Sequence, residues 1–309
     1  MFKHILVPLD GSKLAEAAIP AAASLAQTLN APVTLLHIME KNPPQEVHKD
    51  RHITQADEAS AYLEEAAKRA FSAEVKVEWH VHTAAVKDVS GSIVEHALKE
   101  FQPDLIVMCT HGGSGVRELF YGSIAQKVVA QGMTPLLLIK PRIDTATSFG
   151  LEKIIVPLDS GPVHDDSLPA AQVLARAYNS EIHLLTVIPT FTTVAGEAAA
   201  ASSLLPATTS ALLDIKVENA AEDLQAHLDE LKHAGFRVRA EVARGDPATE
   251  IVNISEKLNA GLIVLTTHRK AGTTAFWAHS VAPNVARRTR VPILLIPLEE
   301  KQASYHQDC

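Results

Sequence analysis

Three features that define other protein classes are missing from this chain of 309 residues: long apolar runs, a set of paired cysteines and an excess of basic residues. No run approaches the roughly 18 consecutive apolar residues that a membrane-spanning helix needs, so no membrane span is predicted. With only two cysteines and no signal-peptide pattern at the N-terminus, we expect a cytoplasmic protein without a disulfide framework. The formal charge of -8 at pH 7 speaks against a nucleic-acid partner, because phosphate binding requires surplus lysine and arginine.

What the chain does have is an internal duplication. Its first apolar segment, Ile5-Leu6-Val7-Pro8-Leu9-Asp10, returns as Ile154-Ile155-Val156-Pro157-Leu158-Asp159. A later segment, Pro135-Leu136-Leu137-Leu138-Ile139, returns as Pro292-Ile293-Leu294-Leu295-Ile296. A repeat of this length indicates two copies of a whole domain rather than a solenoid, and the chain is long enough for a core in each copy.

Apolar runs alternate with helical patterns in both copies, which predicts an α/β fold with parallel strands and helices on both faces of each sheet. In the first copy, strands are predicted at about 3–8, 32–39, 75–82, 104–109 and 135–140, and helices at about 12–29, 52–71, 89–100 and 122–131. In the second copy, strands are predicted near 152–157, 181–188, 236–243, 261–266 and 292–297.

Charge patterns separate edge strands from central ones. The third predicted strand alternates apolar residues with charged ones such as Lys76 and Glu78, which is typical of an edge. The fifth strand, 136–139, is wholly apolar although it comes last, so an edge position would require a cover. Its repeat at 293–296 is the natural partner, and this pairing would make the chain an intramolecular pseudo-dimer.

These patterns divide the chain into a first domain at 1–141, a linker at 142–150, a second domain at 151–298 and a polar tail at 299–309. Residues 189–211 are rich in alanine, serine and threonine, and they are predicted to form a loose insertion or mobile loop.

The best candidate for a binding motif follows the fourth strand of the first copy. It comprises Cys109, Thr110, His111, Gly112, Gly113, Ser114 and Gly115, and then Gly122, Ser123 and Ile124 at the start of a helix. Ligands of open parallel sheets bind beyond the carboxyl ends of the strands, and helix N-termini attract anions. The motif therefore suits a phosphate group, although a simple turn followed by a serine helix cap remains an alternative.

With these segments, the chain resembles the universal stress protein family, over nearly its whole length and as two tandem domains. The family's ATP-binding pattern is Gly-x2-Gly-x9-Gly-[Ser/Thr], and Gly112 followed by Gly122-Ser123 matches its latter part, with Cys109 at the first glycine position. The resemblance implies strand order 3-2-1-4-5, dimerisation through fifth strands, and binding of ATP, AMP or ADP, with Mg²⁺ as a candidate companion ion.

The resemblance also implies where a nucleotide would lie. Its phosphates would meet the backbone of Gly112 to Gly115 and of Gly122-Ser123. Its adenine would lie near the ends of the first two strands, at Pro8, Leu9, Asp10, His37, Ile38 and Met39.

The second copy breaks the motif, since Arg269, Lys270 and His279 stand where the first copy has glycines. Large side chains keep phosphate away from the backbone, so loss of nucleotide binding is expected there. Binding of an anion by these three side chains remains the alternative. Asp10 is interpreted as a nucleotide ligand and Asp159 as a helix cap.

Histidine pairs at His48-x3-His52 and His80-x-His82 have spacings compatible with a metal site, but no metal ligands are assigned. No set of nucleophile, base and orienting group emerges, so no catalytic residues are assigned either. The predicted function is regulatory nucleotide binding in a stress response, read by an unknown protein partner. A slow ATPase, a nucleotide-independent scaffold for a protein or lipid-like ligand, and a homodimer of the whole chain remain open.

Overall fold

The computed structural model describes residues 1–110, 123–141, 149–159, 165–194, 204–267 and 281–298. Both copies contribute to a single ten-stranded sheet, and the prediction of an α/β fold is confirmed.

The first half alternates strands and helices as the hydrophobic pattern predicts. Its strands are Ile5–Pro8 (β1), Val33–Glu40 (β2), Glu46–Val47 (β3), Asp50–Arg51 (β4), Val77–Val86 (β5), Leu105–Cys109 (β6) and Leu136–Ile139 (β7). Its helices are Lys13–Glu16 (α1), Ile19–Leu29 (α2), Ala56–Ala70 (α3), Val89–His96 (α4) and Ser123–Gln131 (α5), and a π-helical turn, Ala97–Phe101, extends α4.

The second half repeats this plan. Its strands are Lys153–Pro157 (β8), Glu181–Ile188 (β9), Arg237–Arg244 (β10), Leu262–Thr267 (β11) and Ile293–Pro297 (β12). Its helices are Leu168–Tyr178 (α6), Pro206–His233 (α7), Pro247–Lys257 (α8) and Val281–Arg288 (α9), with a 3-10 turn at Asp165–Ser167.

The strands of the large sheet run in the order β10-β9-β8-β11-β12-β7-β6-β1-β2-β5. Within each half all neighbours are parallel. The charged third strands, β5 and β10, occupy the two outer edges, where charge discourages unwanted pairing with other chains.

Apolar cores on both faces of the sheet run from one half into the other. Helices α2, α3, α6 and α7 cover one face, and α4, α5, α8 and α9 cover the other. Burial on both faces explains why the central strands are continuous apolar runs without alternation.

The two halves join where β7 pairs with β12 in the antiparallel sense, so the expectation that these apolar strands cover each other is confirmed. Leu137 lies opposite Leu294, and the flanking pairs are Leu138 with Ile293 and Leu136 with Leu295. We call this junction of β7 with β12 the seam. Because Leu137 and Leu294 are equivalent in the duplication, the seam has the self-complementary pairing of a two-fold dimer.

Some predicted elements were wrong in detail. The helix predicted at 12–29 divides into α1 and α2, since Pro20 lacks an N–H donor and favours a helix start. The helix predicted from 52 begins at Ala56, after an unpredicted hairpin. The insertion predicted at 189–211 instead includes the first residues of α7, which starts at Pro206.

At the junction of the halves, Phe149 is packed rather than loose. The ring centroids of Phe149 and Tyr178 lie 6.4 Å apart in an edge-to-face arrangement. The carbonyl of Phe149 accepts a hydrogen bond from Ser24 Oγ. Most of the predicted linker, at 142–148, and the tail at 299–309 lie outside the described residues.

Candidate functional site

Three adjacent strands end at the same edge of the first half-sheet and bring predicted site residues together. These are Pro8 at the end of β1 with Leu9 and Asp10 after it, His37, Ile38 and Met39 on β2, and Cys109 on β6. Because the strands are parallel and in register, this edge is where a ligand of an open α/β sheet would bind.

Asp10 supports the start of the first helix. Its Oδ1 accepts hydrogen bonds from the backbone N–H of Ser12 at 2.9 Å and from Ser12 Oγ at 2.6 Å. Ser12 is itself the N-cap of α1, since its Oγ accepts from the backbone N–H of Ala15. Asp10 therefore stabilises the cap through Ser12, and its other oxygen, Oδ2, points to a different neighbour.

That neighbour belongs to the hairpin β3–β4, which sequence reasoning missed. His48 in its turn places Nε2 3.6 Å from Asp10 Oδ2, and Asp50 Oδ2 accepts a hydrogen bond from the backbone N–H of Lys13. The length of this connection could have indicated an additional element. Residues 41–55 separate β2 from α3, whereas a strand-to-helix connection usually has roughly 2–6 residues.

The hairpin segment approaches the backbone closely at Gly11. This glycine has φ of +90°, and a Cβ there would lie 2.6 Å from Cδ1 of Ile53. A side chain at this position would be strained and would also displace Ile53. The contact holds the segment after β4 against the end of β1.

His37 is a buried imidazole with one unused nitrogen. Its Nδ1 donates a hydrogen bond to the Leu9 carbonyl at 2.8 Å. Burial lowers the pKa of His37, although that bond and the charge of Asp10 oppose the shift. The neutral ring therefore presents Nε2 as an acceptor, and Nε2 has no partner among the described residues.

The end of β2 is irregular at the same edge. The pairing of β2 with β5 shifts register between Ile38 and Glu40, which leaves Met39 at a bulge. Bulges often occur next to binding sites, because they redirect side chains and interrupt the ladder of hydrogen bonds.

Cys109 is not a nucleophile in this setting. Burial, and secondarily the charge of Asp10, raises the pKa of its thiol to about 12. The thiol therefore stays protonated at neutral pH, and only the thiolate is a good nucleophile.

The glycine motif itself cannot be described. Residues His111, Gly112, Gly113, Ser114, Gly115 and Gly122 lie outside the described residues, as does the side chain of Ser123. The described chain stops at Thr110, just after β6, and resumes at Ser123, the first residue of α5, which Ile124 follows.

The corresponding strand ends of the second half carry different residues. By strand register, Thr186 takes the place of His37, so the acceptor imidazole is missing there. Asp159 follows β8, but residues 160–164 lie outside the described residues, and its role as a cap stays a prediction. The same holds for Arg269, Lys270 and His279.

The two histidine pairs singled out in the sequence have different outcomes. His48 lies in the hairpin turn with φ of +52°, so it does not share a helix face with His52. His80 and His82 do share a face of β5, and His96 of α4 joins them.

The fold and this edge define the class: a tandem, doubly wound α/β protein with its candidate site at strand ends. A crystal structure of a universal stress protein from Archaeoglobus fulgidus covers 96% of this chain and 97% of its own, with a TM-score of 0.71 at 17% identity. A structure of a putative universal stress protein from Pseudomonas aeruginosa covers 96% and 93%, with a TM-score of 0.65 at 16% identity. At such identities, these likenesses concern the fold.

The family follows from sequence matches. The model of the universal stress protein family matches residues 1–140 and 150–297. A universal stress protein of Thermus aquaticus is 32% identical over 150 residues, which cover 45% of this chain and all of the relative, and one of Synechocystis is 32% identical over 139 residues, covering 45% and 86%. The chain belongs to the universal stress protein family, with two family domains in tandem.

Among the described residues, none of the helices combines the length and the apolar composition needed to cross a membrane.

Proposed function

We propose that this chain binds an adenine nucleotide in its first domain and acts as a regulator in a stress response. The observation that carries the proposal is the position of the glycine motif. Its Gly-x9-Gly-Ser pattern lies in the sequence between β6 and the start of α5, and β6 ends at the strand edge that presents Asp10 and His37.

The described residues fit a nucleotide in three ways. Asp10 offers a carboxylate that can accept hydrogen bonds from ribose hydroxyls. His37 Nε2 is a buried acceptor without a described partner, which suits a donor such as the amino group of adenine. Helix α5 begins at Ser123, and the N-terminal end of a helix suits phosphate because its dipole is positive there.

The hairpin β3–β4 is the segment best placed to respond to occupancy. It contacts the site through the pair formed by His48 and Asp10. A ribose that competes for Asp10 would weaken this pair and shift the hairpin between arrangements that a protein partner could distinguish. For Mg²⁺ accompanying the phosphates, Asp10 offers a carboxylate ligand at this strand edge.

The experiment is a titration of the full chain and of the Gly122→His variant with ATP. We expect the variant to bind about 5- to 150-fold more weakly, which corresponds to roughly 1–3 kcal/mol, because backbone donors to a charged group are lost. Gly150→Ala, at an exposed position where an added Cβ meets no atom within 4 Å, tests for effects of unrelated glycine changes. Equal affinity in Gly122→His and the wild-type chain would contradict the site.

A second candidate function is a nucleotide-independent scaffold. Leu204, Leu205, Leu212 and Ile215 are exposed near the start of α7, by 81%, 60%, 55% and 51%. Such exposure is typical of a surface that a protein or lipid-like ligand covers. A native mass spectrum of freshly purified protein separates the two candidates, because a bound nucleotide adds its own mass and a scaffold leaves the chain bare.

A further inference from the structure

The structure brings three histidines together on the first domain, away from the candidate nucleotide site. His80 and His82 lie on β5, and His96 lies on α4. One potential ligand nitrogen from each lies within 4.8 Å of the others. Among the described residues, this histidine cluster is the group of side chains that could hold a metal ion.

The strand register explains why the side chains converge. His80 pairs with Leu36 and His82 with Ile38, and both of these β2 residues belong to the core beneath α4. His80 and His82 therefore face the helix that carries His96. Their rings lie 5.1 Å and 4.9 Å from that of His96, measured between centroids.

Glu100 orients the central imidazole. Its Oε2 accepts a hydrogen bond from His96 Nδ1 at 2.5 Å, so the proton of His96 resides on Nδ1. Nε2 of His96 is left with a free electron pair, and it lies 2.9 Å from His82 Nδ1. A carboxylate that holds one nitrogen of a histidine while the other binds metal is the usual second layer of a zinc site.

A backbone irregularity supplies that carboxylate. Glu100 lies in the π-helical turn that extends α4, and such turns occur frequently at functional sites. From the cap Asp88 to the left-handed residue Gln102 the chain advances 102 - 88 = 14 residues. The corresponding step in the second domain, from Asp246 to Asn259, is 259 - 246 = 13. The first domain therefore contains one extra residue in this turn.

The second domain has none of the three histidines at the matching positions. Strand register places Glu241 and Ala243 opposite the β9 residues that correspond to Leu36 and Ile38. Counting from the helix caps, Ile254 matches His96, and it is a buried residue of the same core. The second domain thus folds around this corner without any imidazole, so the fold itself does not require the histidine cluster.

We infer that His80, His82 and His96 form a binding site for a divalent transition metal, Zn²⁺ in the first instance, with Glu100 as the residue that positions His96. Tetrahedral zinc with bonds of about 2.0–2.1 Å separates its nitrogen ligands by roughly 3.4 Å. The 2.9 Å contact between His96 and His82 has to widen by about half an ångström. His80, whose side chain is 34% exposed, has room to rotate inward. Three imidazoles leave the fourth position of the metal open for water or another ligand.

The competing explanation is a hydrogen-bonded relay that only fastens the edge strand to α4. Both explanations predict lower stability when a histidine is removed, so stability of the metal-free chain does not separate them. Zinc binding does, because a relay gains nothing from the ion.

The experiment uses the full chain, stripped with a chelator and dialysed. Zn²⁺ alone is titrated by calorimetry, and thermal unfolding is followed with and without it. We expect one Zn²⁺ per chain and a rise in Tm of at least about 3 °C at saturating zinc. Co²⁺ in the same site should give the visible absorption of a tetrahedral complex.

The matched variant is His80→Glu, His82→Ala and His96→Ile in one chain, which copies the second domain and should keep the fold. This variant is expected to bind no Zn²⁺, to show no rise in Tm with zinc and to give no tetrahedral Co²⁺ absorption. Glu100→Gln should lower the affinity for zinc about 10- to 100-fold and alter the absorption spectrum of bound Co²⁺. His233→Ala, at an exposed residue of α7 outside the cluster, should leave zinc binding unchanged. A wild-type chain that binds no zinc, or zinc affinity unchanged in the triple variant, would overturn the proposal.

Discussion

The two halves of this chain have the same topology, yet they differ at the places where ligands would bind. Structural positions agree closely: α2 and α6 both end at an asparagine in the left-handed conformation, Asn30 with φ of +51° and Asn179 with φ of +54°. The seam residues Leu137 and Leu294 are identical and pair with each other. These positions are determined by backbone geometry and packing, which are the same in both halves.

Three regions of the first half carry its candidate chemistry. They are the glycine motif after β6, the hairpin that follows β2, and the histidine cluster with its π-helical turn. The second half has arginine, lysine and histidine in place of the glycines, and Glu241, Ala243 and Ile254 in place of the cluster. Within one chain, the halves thus serve as controls for each other: shared residues indicate what the fold needs, and unshared ones indicate candidate chemistry.

The largest expected effect tests the equivalence of the halves at the seam. The side chain of Leu137 is 2% exposed and that of Leu294 is 1% exposed, so Leu137→Ala and Leu294→Ala each leave a cavity. Each should lower the free energy of unfolding by about 2–5 kcal/mol. Because the two residues lie opposite one another, the costs should agree within about 1 kcal/mol. Denaturant unfolding of the full chain measures both.

For that comparison, Leu137→Ile conserves volume and should cost less than about 1.5 kcal/mol. A large penalty in one half and a negligible one in the other would show that the seam is not symmetric.

An intermediate effect concerns the asymmetry of nucleotide binding. The full chain should bind one ATP, because Arg269, Lys270 and His279 replace the glycines of the motif, and large side chains there are expected to keep phosphate from the backbone. Calorimetric titration gives the stoichiometry directly. Two equivalents, or one full-strength site that survives Gly122→His, would mean that the second half has rebuilt a site from its cationic side chains.

The smallest expected effect compares the caps of the equivalent helices α4 and α8. Asp246 accepts from the Thr249 backbone N–H at 3.0 Å, and the Thr249 side chain, its backbone and Arg288 lower the pKa of Asp246. A lowered pKa means that the carboxylate stabilises the fold above its unfolded pKa, and that this contribution disappears as pH falls through the folded value.

Asn in place of Asp246 keeps the cap but removes the charge. Asp246→Asn should therefore cost about 0.3–1 kcal/mol at pH 7, and the difference from wild type should shrink as pH falls below about 4. The same change at Asp88, whose pKa is lowered chiefly by Ser90 but whose side chain makes no cap hydrogen bond, should cost less. Urea unfolding across that pH range would reveal a pH-independent difference if the charge does not matter.

The sequence by itself determined the α/β class, the duplication and the seam. The continuous apolar runs of the repeated strands predict that these strands are buried. The second copy of the apolar last strand, Leu136–Ile139, identifies the strand that pairs with it. By its resemblance to the family, the sequence also indicated seven described residues, which lie at one edge because parallel strands end together there. What it could not determine was where residues distant in the chain meet.

Only the tertiary structure placed the hairpin over Asp10 and His96 between His80 and His82. Local pattern predicted a helix through His52, because the contact of Ile53 with Gly11 that holds this segment extended is not local. The histidine cluster depends on the register of β5 against β2, and the position of Glu100 depends on the π-helical turn after His96; neither leaves a periodic signal. Periodicity reports burial along one element, whereas a site requires the relative position of several.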